Sequence, residues 1–150
     1  MKKKPKVSVI VNCLNGEQFI DRCLKSIFIQ SYDNFEIIFW DNNSSDNSFD
    51  IIKKFSSKKI RAFKSKKTTS LYKARNQAIK KSLGKYIAFL DVDDVWIKTK
   101  LKKQIELIEK NDSDVIYTNY YIMDQNIKKK FTEDKLEYKN MSFNILKKYS

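Results

Sequence analysis

The 150-residue sequence contains no histidine, one proline, two glycines and two cysteines. Without an imidazole there is no histidine-based nucleophilic triad, and zinc sites of the Cys/His kind are excluded. Cys13 and Cys23 are too few and too irregularly spaced for a disulfide framework, and they read as core residues. No stretch approaches the roughly 18 consecutive apolar residues that a membrane-spanning helix needs. The start, Met1-Lys2-Lys3-Lys4-Pro5-Lys6, is basic, but the apolar run behind it, Val7 to Val11, stops at Asn12. A signal peptide needs a longer apolar segment, so the expectation is a first strand and a cytoplasmic protein. No internal repeat or low-complexity linker divides the chain, and its length suits one globular unit.

Acidic residues are also scarce, 18 against 31 basic ones, for a net charge of +13. Clustered cations would point to nucleic acid. Here only three of the basic residues are arginines, Arg22, Arg61 and Arg75, and the lysines are dispersed in pairs such as Lys53-Lys54, Lys80-Lys81 and Lys102-Lys103. Such pairs read as solvated helix faces. Lys, Ile, Asn, Phe and Tyr, all with A/T-rich codons, dominate, so a biased genome accounts for the charge and no nucleic-acid partner is expected. The diffuse field can still attract an anionic ligand or an anionic membrane surface.

The apolar pattern alternates between strands and helices. Val7–Val11 reads as a buried strand and Glu17–Gln30 as an amphipathic helix; Phe35–Trp40 is the second strand and Asp46–Phe55 the second helix. Ile60–Lys64 is a third strand, and Leu71–Leu83 a helix capped by the hydroxyls of Thr68–Ser70 and closed by Gly84. Tyr86–Leu90 is a fourth strand, Lys98–Lys110 a helix, and Val115–Tyr121 a fifth strand. Asp124-Gln125-Asn126 reads as a hairpin turn before a short strand near Lys128–Thr132, and Tyr138–Tyr149 as a last helix. The expected fold is α/β, a three-layer α/β/α arrangement with a mainly parallel sheet.

In such sheets ligands gather outside the carboxyl ends of the strands. Asn12 and Asn15 follow the first strand, Asp41, Asn42 and Asn43 the second, and Asp91, Asp93 and Asp94 the fourth. Two carboxylates one residue apart repel unless a cation or several donors compensate. All-oxygen ligands with open positions suit Mg²⁺ or Mn²⁺, which complete their shells with water and substrate phosphates, so the implied ligand is a diphosphate. Blander readings stand beside this one: Asp46 and Asp94 as helix caps, Asp41 to Ser44 as turn chemistry, and Arg75 as a solvated helix residue.

Taken together, these residues resemble the N-terminal half of family 2 glycosyltransferases of the GT-A fold. The resemblance runs through Val7 to Glu17, Ser26 to Tyr32, Phe35 to Asp46, Ala74-Arg75-Asn76 and Gly84 to Asp94, about 110 residues of ordered motifs. It implies inverting transfer of a sugar from a nucleoside-diphosphate sugar, most commonly a UDP-sugar, to the hydroxyl of a glycan or lipid-linked acceptor. Bacterial surface polysaccharide or lipopolysaccharide synthesis, with peripheral contact at the cytoplasmic face of the inner membrane, follows from the same resemblance. By the same route, Asn12, Leu14 and Asp41 would hold base and ribose, Asp91 the ribose side, Arg75 the diphosphate, and Asp93 the Mn²⁺ or Mg²⁺.

Two departures stand out. Asn12 and Leu14 replace a Pro and a Tyr frequent in the family, which removes base stacking at position 14, and Asn42-Asn43 replaces an Asp-Gly pair. The family draws its general base from an acidic residue well beyond the DxD motif, and Glu133-Asp134 is the only later acidic pair. Residues 1–124 are therefore expected to form the donor-binding domain, with 125–150 the start of a truncated acceptor-side region. A chain that binds donor without efficient transfer is the alternative. The run Phe89 to Val95 also resembles the nucleophile strand of haloacid dehalogenase-like phosphatases, but four strand–helix elements precede it where that family has none. A basic nucleic-acid-binding module is the other remote reading.

Overall fold

The computed structural model describes residues 4–118, 120, 122–124 and 127–129. The chain divides into two compact units, Met1–Lys102 and Lys103–Ser150. The functional boundary expected at residue 124 falls inside the second.

In the first unit, β1 (Val7–Cys13), β2 (Phe35–Asp41), β3 (Ile60–Lys64) and β4 (Tyr86–Asp91) form one parallel sheet in the order β3-β2-β1-β4. Every residue of β1 and β2 is buried, as expected of central strands with both faces covered. The helices are α1 (Ile20–Phe28), α2 (Ser48–Lys54) and α3 (Leu71–Ile79). The connections through α1 and α2 step in one direction across the sheet, and the connection through α3 jumps back from β3 to β4. Right-handed crossovers therefore put α3 on the opposite face. There Ile10, Ile38 and Trp40 pack with Ala74 and Ala78, and Phe63 stacks on Trp40 at a centroid distance of 6.2 Å. The reversal lies between β1 and β4.

Buried polar side chains fix the connections. Ser26 Oγ accepts from Trp96 N at 3.1 Å, and Gln30 donates to Ile97 O at 2.8 Å and accepts from Leu101 N at 3.0 Å. These bonds tie the segment after β4 to the end of α1 and give the Ser26–Gln30 motif its physical role. A fourth helix, α4 (Lys100–Asn111), follows.

Some local expectations need correction. Gly84 has no positive φ, so it is not a left-handed cap; a Cβ there would lie 2.5 Å from Ser8 N and 2.7 Å from Val7 C, and close approach to β1 is what requires glycine. The helix ends earlier, at Ile79, and further on Leu83 N and Gly84 N donate to Glu36 Oε1 and Ser8 Oγ. Ser70, the N-cap of α3, makes no side-chain cap bond; the neighbouring Thr69 N and Oγ1 both donate to Asn42 Oδ1 and tie this loop to the end of β2. Residues 115–118 and 120 form no strand. A β-branched and aromatic run becomes a strand only when an edge accepts its ladder, and Val115, Tyr117 and Tyr120 are exposed. In the second unit the expected hairpin is present as β5 (Ile122–Asp124) paired antiparallel with β6 (Ile127–Lys129). The helix expected over 138–149, and residues 130–132 of the last strand, lie outside the described residues.

Candidate functional site

At the reversal between β1 and β4 the two strand ends diverge from their connections and open a crevice. An open cavity of about 230 Å³ lies there, lined by Asn12, Leu14, Asn15, Gly16, Phe19, Leu71, Asp91, Val92 and Asp93. Register brings the two sides together, since Asn12 pairs with Asp91 across β1 and β4. Asn12 and Leu14, far in sequence from Asp91 and Asp93, thus line the same cavity. The other lining residues come from the segment between β1 and α1, the start of α3 and, at Val92, the turn after β4.

Each acidic group has a distinct environment. Asp91 is half-exposed, and Arg75 Nη2 donates to both its oxygens, at 2.7 and 3.0 Å. Arg75 also lies against the Phe89 ring, 5.4 Å from its centroid. Asp93 is exposed, and its carboxylate has no hydrogen-bond or ion-pair partner among the described residues. Partial burial, then the Asp93 and Asp91 charges, push the Asp94 carboxyl above its ordinary value, with Arg22 opposing them. Asp94 N, meanwhile, closes the turn by donating to Asp91 O at 3.0 Å.

Asp41 is fully buried at the end of β2 and does not line the cavity. Its Oδ2 accepts from Ser44 N at 3.1 Å and lies 3.9 Å from Lys64 Nζ, while Oδ1 has no partner. Asn43 takes a φ of 69°, so the turn after β2 forms without glycine. Asn12, 7% exposed, has neither its amide nitrogen nor its oxygen paired among the described residues. Buried polar groups left this way are costly unless a ligand or solvent meets them.

Asp46, one of the candidate caps, lies one residue before Asn47, the N-cap of α2, but its Oδ1 accepts from Ser48 N at 2.9 Å and its Oδ2 from Glu17 N at 3.0 Å, joining the loops after β1 and β2. Phe19 and Leu71 are not singled out by sequence as site residues, because apolar periodicity accounts for each alone, and Asn15 is placed at the ligand end of the first strand without a role. Glu133 and Asp134 lie outside the described residues.

Among the described residues no group of three or more Cys, Asp or Glu side chains is placed to enclose a metal ion by itself. The donor set at the cavity, an unpaired Asp93 beside Asp91, fits instead a hard cation held partly by a ligand's oxygens.

A parallel sheet wound on both faces, with an acidic cavity at its reversal point, defines a doubly wound α/β protein whose ligand crevice lies outside the carboxyl ends of its strands. Comparison narrows the class. Residues 8–149 match the model of glycosyl transferase family 2. The chain is 38% identical over 120 residues to the UDP-Glc:alpha-D-GlcNAc-diphosphoundecaprenol beta-1,3-glucosyltransferase WfgD of Escherichia coli, covering 80% of this chain and 47% of WfgD. S. aureus TarS 1-349, solved in complex with UDP-GlcNAc, is similar with a TM-score of 0.69 and 31% identity, over 73% of this chain and 32% of that one. The mannosyltransferase PcManGT of Pyrobaculum calidifontis, in complex with GDP-Man and Mn²⁺, shares the fold with a TM-score of 0.68 at 19% identity, over 75% of this chain and 34% of that one. The protein belongs to glycosyl transferase family 2 and has the GT-A fold. It spans about half the length of the curated relatives it matches.

Proposed function

We propose that the protein transfers a sugar, with inversion, from a nucleoside-diphosphate sugar to an acceptor hydroxyl. The observation that carries this reading is the meeting of Asn12, Leu14, Asp91 and Asp93 around one cavity at the reversal of the sheet. WfgD is named for a UDP-glucose donor and a diphosphoundecaprenol-linked acceptor, and TarS was solved with UDP-GlcNAc. A UDP-sugar donor and a glycan or lipid-linked acceptor, in surface polysaccharide synthesis at the cytoplasmic face of a membrane, are proposed on that ground. No helix among the described residues is long and apolar enough to cross a membrane, and a peripheral contact is proposed.

The chain's own groups divide the work. The unpaired amide of Asn12 supplies a donor and an acceptor suited to the edge of a nucleobase, and Asp41, buried and outside the cavity lining, would have to be uncovered for its spare Oδ1 to meet the base. Leu14, exposed at the rim, offers an apolar surface to the base. Asp91 would take the ribose hydroxyls and Arg75, which holds Asp91 in place, would meet the diphosphate. Asp93 would hold Mn²⁺ or Mg²⁺, and the ion, when bound, supplies Lewis-acid stabilisation of charge on the departing nucleoside diphosphate. Residues 1–124 act as the donor-binding part and 125–150 begin the acceptor side; the general base that deprotonates the acceptor is unassigned. Calorimetric titration of the folded chain with UDP and GDP, with and without Mn²⁺, tests the reading. Metal-dependent binding of either nucleotide is expected, and binding of neither contradicts it.

A further inference from the structure

The loop that carries Asp93 is gripped from outside the cavity by α1. Arg22, in the first turn of α1 and exposed, donates from Nη2 to the main-chain carbonyl of Asp93 at 2.8 Å. Its guanidinium lies over the Phe19 ring, 5.7 Å from the centroid, and Phe19 lines the cavity. The next residue, Cys23, brings Sγ to 3.9 Å from Asp91 O. With Asp94 N closing the turn on Asp91 O at 3.0 Å, the carbonyls of both Asp91 and Asp93 are engaged, while the Asp93 carboxylate is left unpaired.

We infer that Arg22 is a positioning residue for the metal-binding aspartate: by holding the Asp93 carbonyl it fixes the peptide whose side chain must present a carboxylate to the cation. The inference rests on the reading of Asp93 as the metal ligand. The contact geometry separates it from a charge effect. Arg22 directs its positive charge at a main-chain oxygen, so it does not occupy the carboxylate. A bare positive charge this near a divalent cation would weaken its binding by repulsion, and deleting the side chain would then tighten the site. Loss of a positioning hydrogen bond acts in the opposite direction, typically by about 10- to 100-fold in metal affinity.

The test uses Arg22→Ala and Arg22→Lys in the whole chain, with circular dichroism and the unfolding midpoint confirming the fold. Mn²⁺ is titrated in the presence of UDP, free Mn²⁺ is read by electron paramagnetic resonance, and UDP affinity is measured separately without metal. Arg22→Ala should bind Mn²⁺ about ten-fold more weakly with metal-free UDP affinity unchanged. Arg22→Lys should recover part of the loss, since an ammonium offers the carbonyl a donor without the planar stacking on Phe19. Equal or tighter Mn²⁺ binding by Arg22→Ala overturns the inference, as does a parallel loss of metal-free UDP binding, which would mark a general structural role. Should the unmodified chain take up no Mn²⁺ with UDP, the donor-site reading itself fails; uptake by the unmodified chain that Arg22→Ala leaves unaltered defeats the inference alone.

Discussion

Replacing Glu36 removes the acceptor on which one end of the sheet converges. The carboxylate is 6% exposed on β2. Its Oε1 accepts from Ser8 Oγ at 2.7 Å and from Leu83 N at 2.6 Å, and its Oε2 from Arg61 Nη1 at 2.9 Å. Ser8 Oγ in turn accepts from Gly84 N at 2.9 Å. One side chain therefore joins β1, β2, β3 and the connection from α3 to β4, at the end of the sheet away from the cavity. Hydrogen bonds to a charged acceptor contribute about 1.5–3 kcal/mol each, and the donors left behind are desolvated. The Arg61 side chain is 37% exposed and can turn to water, so its share is discounted. Glu36→Ala should then cost about 3–5 kcal/mol, a large part of the roughly 5–15 kcal/mol typical of a domain. Glu36→Gln, which keeps one acceptor oxygen but turns an amide toward Arg61, should cost about half as much. Urea unfolding followed by circular dichroism reads the difference. A loss below about 1 kcal/mol in the alanine variant would refute the reasoning, while UDP affinity of the folded variant should be unchanged because the knot lies far from the cavity.

Two further outcomes follow from the site and the core. Asp41→Ala should weaken UDP binding about ten-fold without metal, the effect of one charge-assisted hydrogen bond; equal affinity measured by calorimetry would remove Asp41 from the site. Burial, with the Asp94 carboxylate, Cys13 and Asp93 adding to it and Arg22 opposing, pushes the Cys23 thiol up to about 12. At pH 8 its thiolate is then about one part in ten thousand. Burial raises Cys13 as well. Iodoacetamide at pH 8 should label both cysteines only in denaturant, and rapid labelling of the native chain would contradict their placement in the core.

The parallel character of β1, β2 and β4 is legible in the sequence because each is a largely apolar run bounded by turn residues with a helix between it and the next, while their order in the sheet is not. Val115–Tyr121 has the same composition without becoming a strand over its described residues. Composition gives a strand its propensity, but only a neighbouring edge makes it one. The candidate site is legible where chemistry and position coincide, as at Asp91 and Asp93, two carboxylates one residue apart after an apolar strand that the fold brings to one cavity. Asp41 reads as turn or ligand with equal ease, and only its burial with one unpaired oxygen makes it a candidate acceptor. Arg22 was illegible. Between Asp21 and Lys25, which pair at 2.7 Å on the helix surface, it reads as one more solvated charge, and its partner lies 71 residues away. Gly84 and Glu36 were visible as motif residues, but their shared task, bringing the β4 approach against β1, is a tertiary contact that no local pattern encodes.

Asp93 is proposed to hold a divalent cation for a nucleoside diphosphate at the reversal of the sheet. Calorimetric titration of UDP into the unmodified chain and into Asp93→Asn, each with and without Mn²⁺, tests it most directly. Mn²⁺-dependent affinity is expected in the unmodified chain and its loss in Asp93→Asn, with an intact fold and equal metal-free binding in both. Undiminished Mn²⁺-dependent affinity in Asp93→Asn would contradict it.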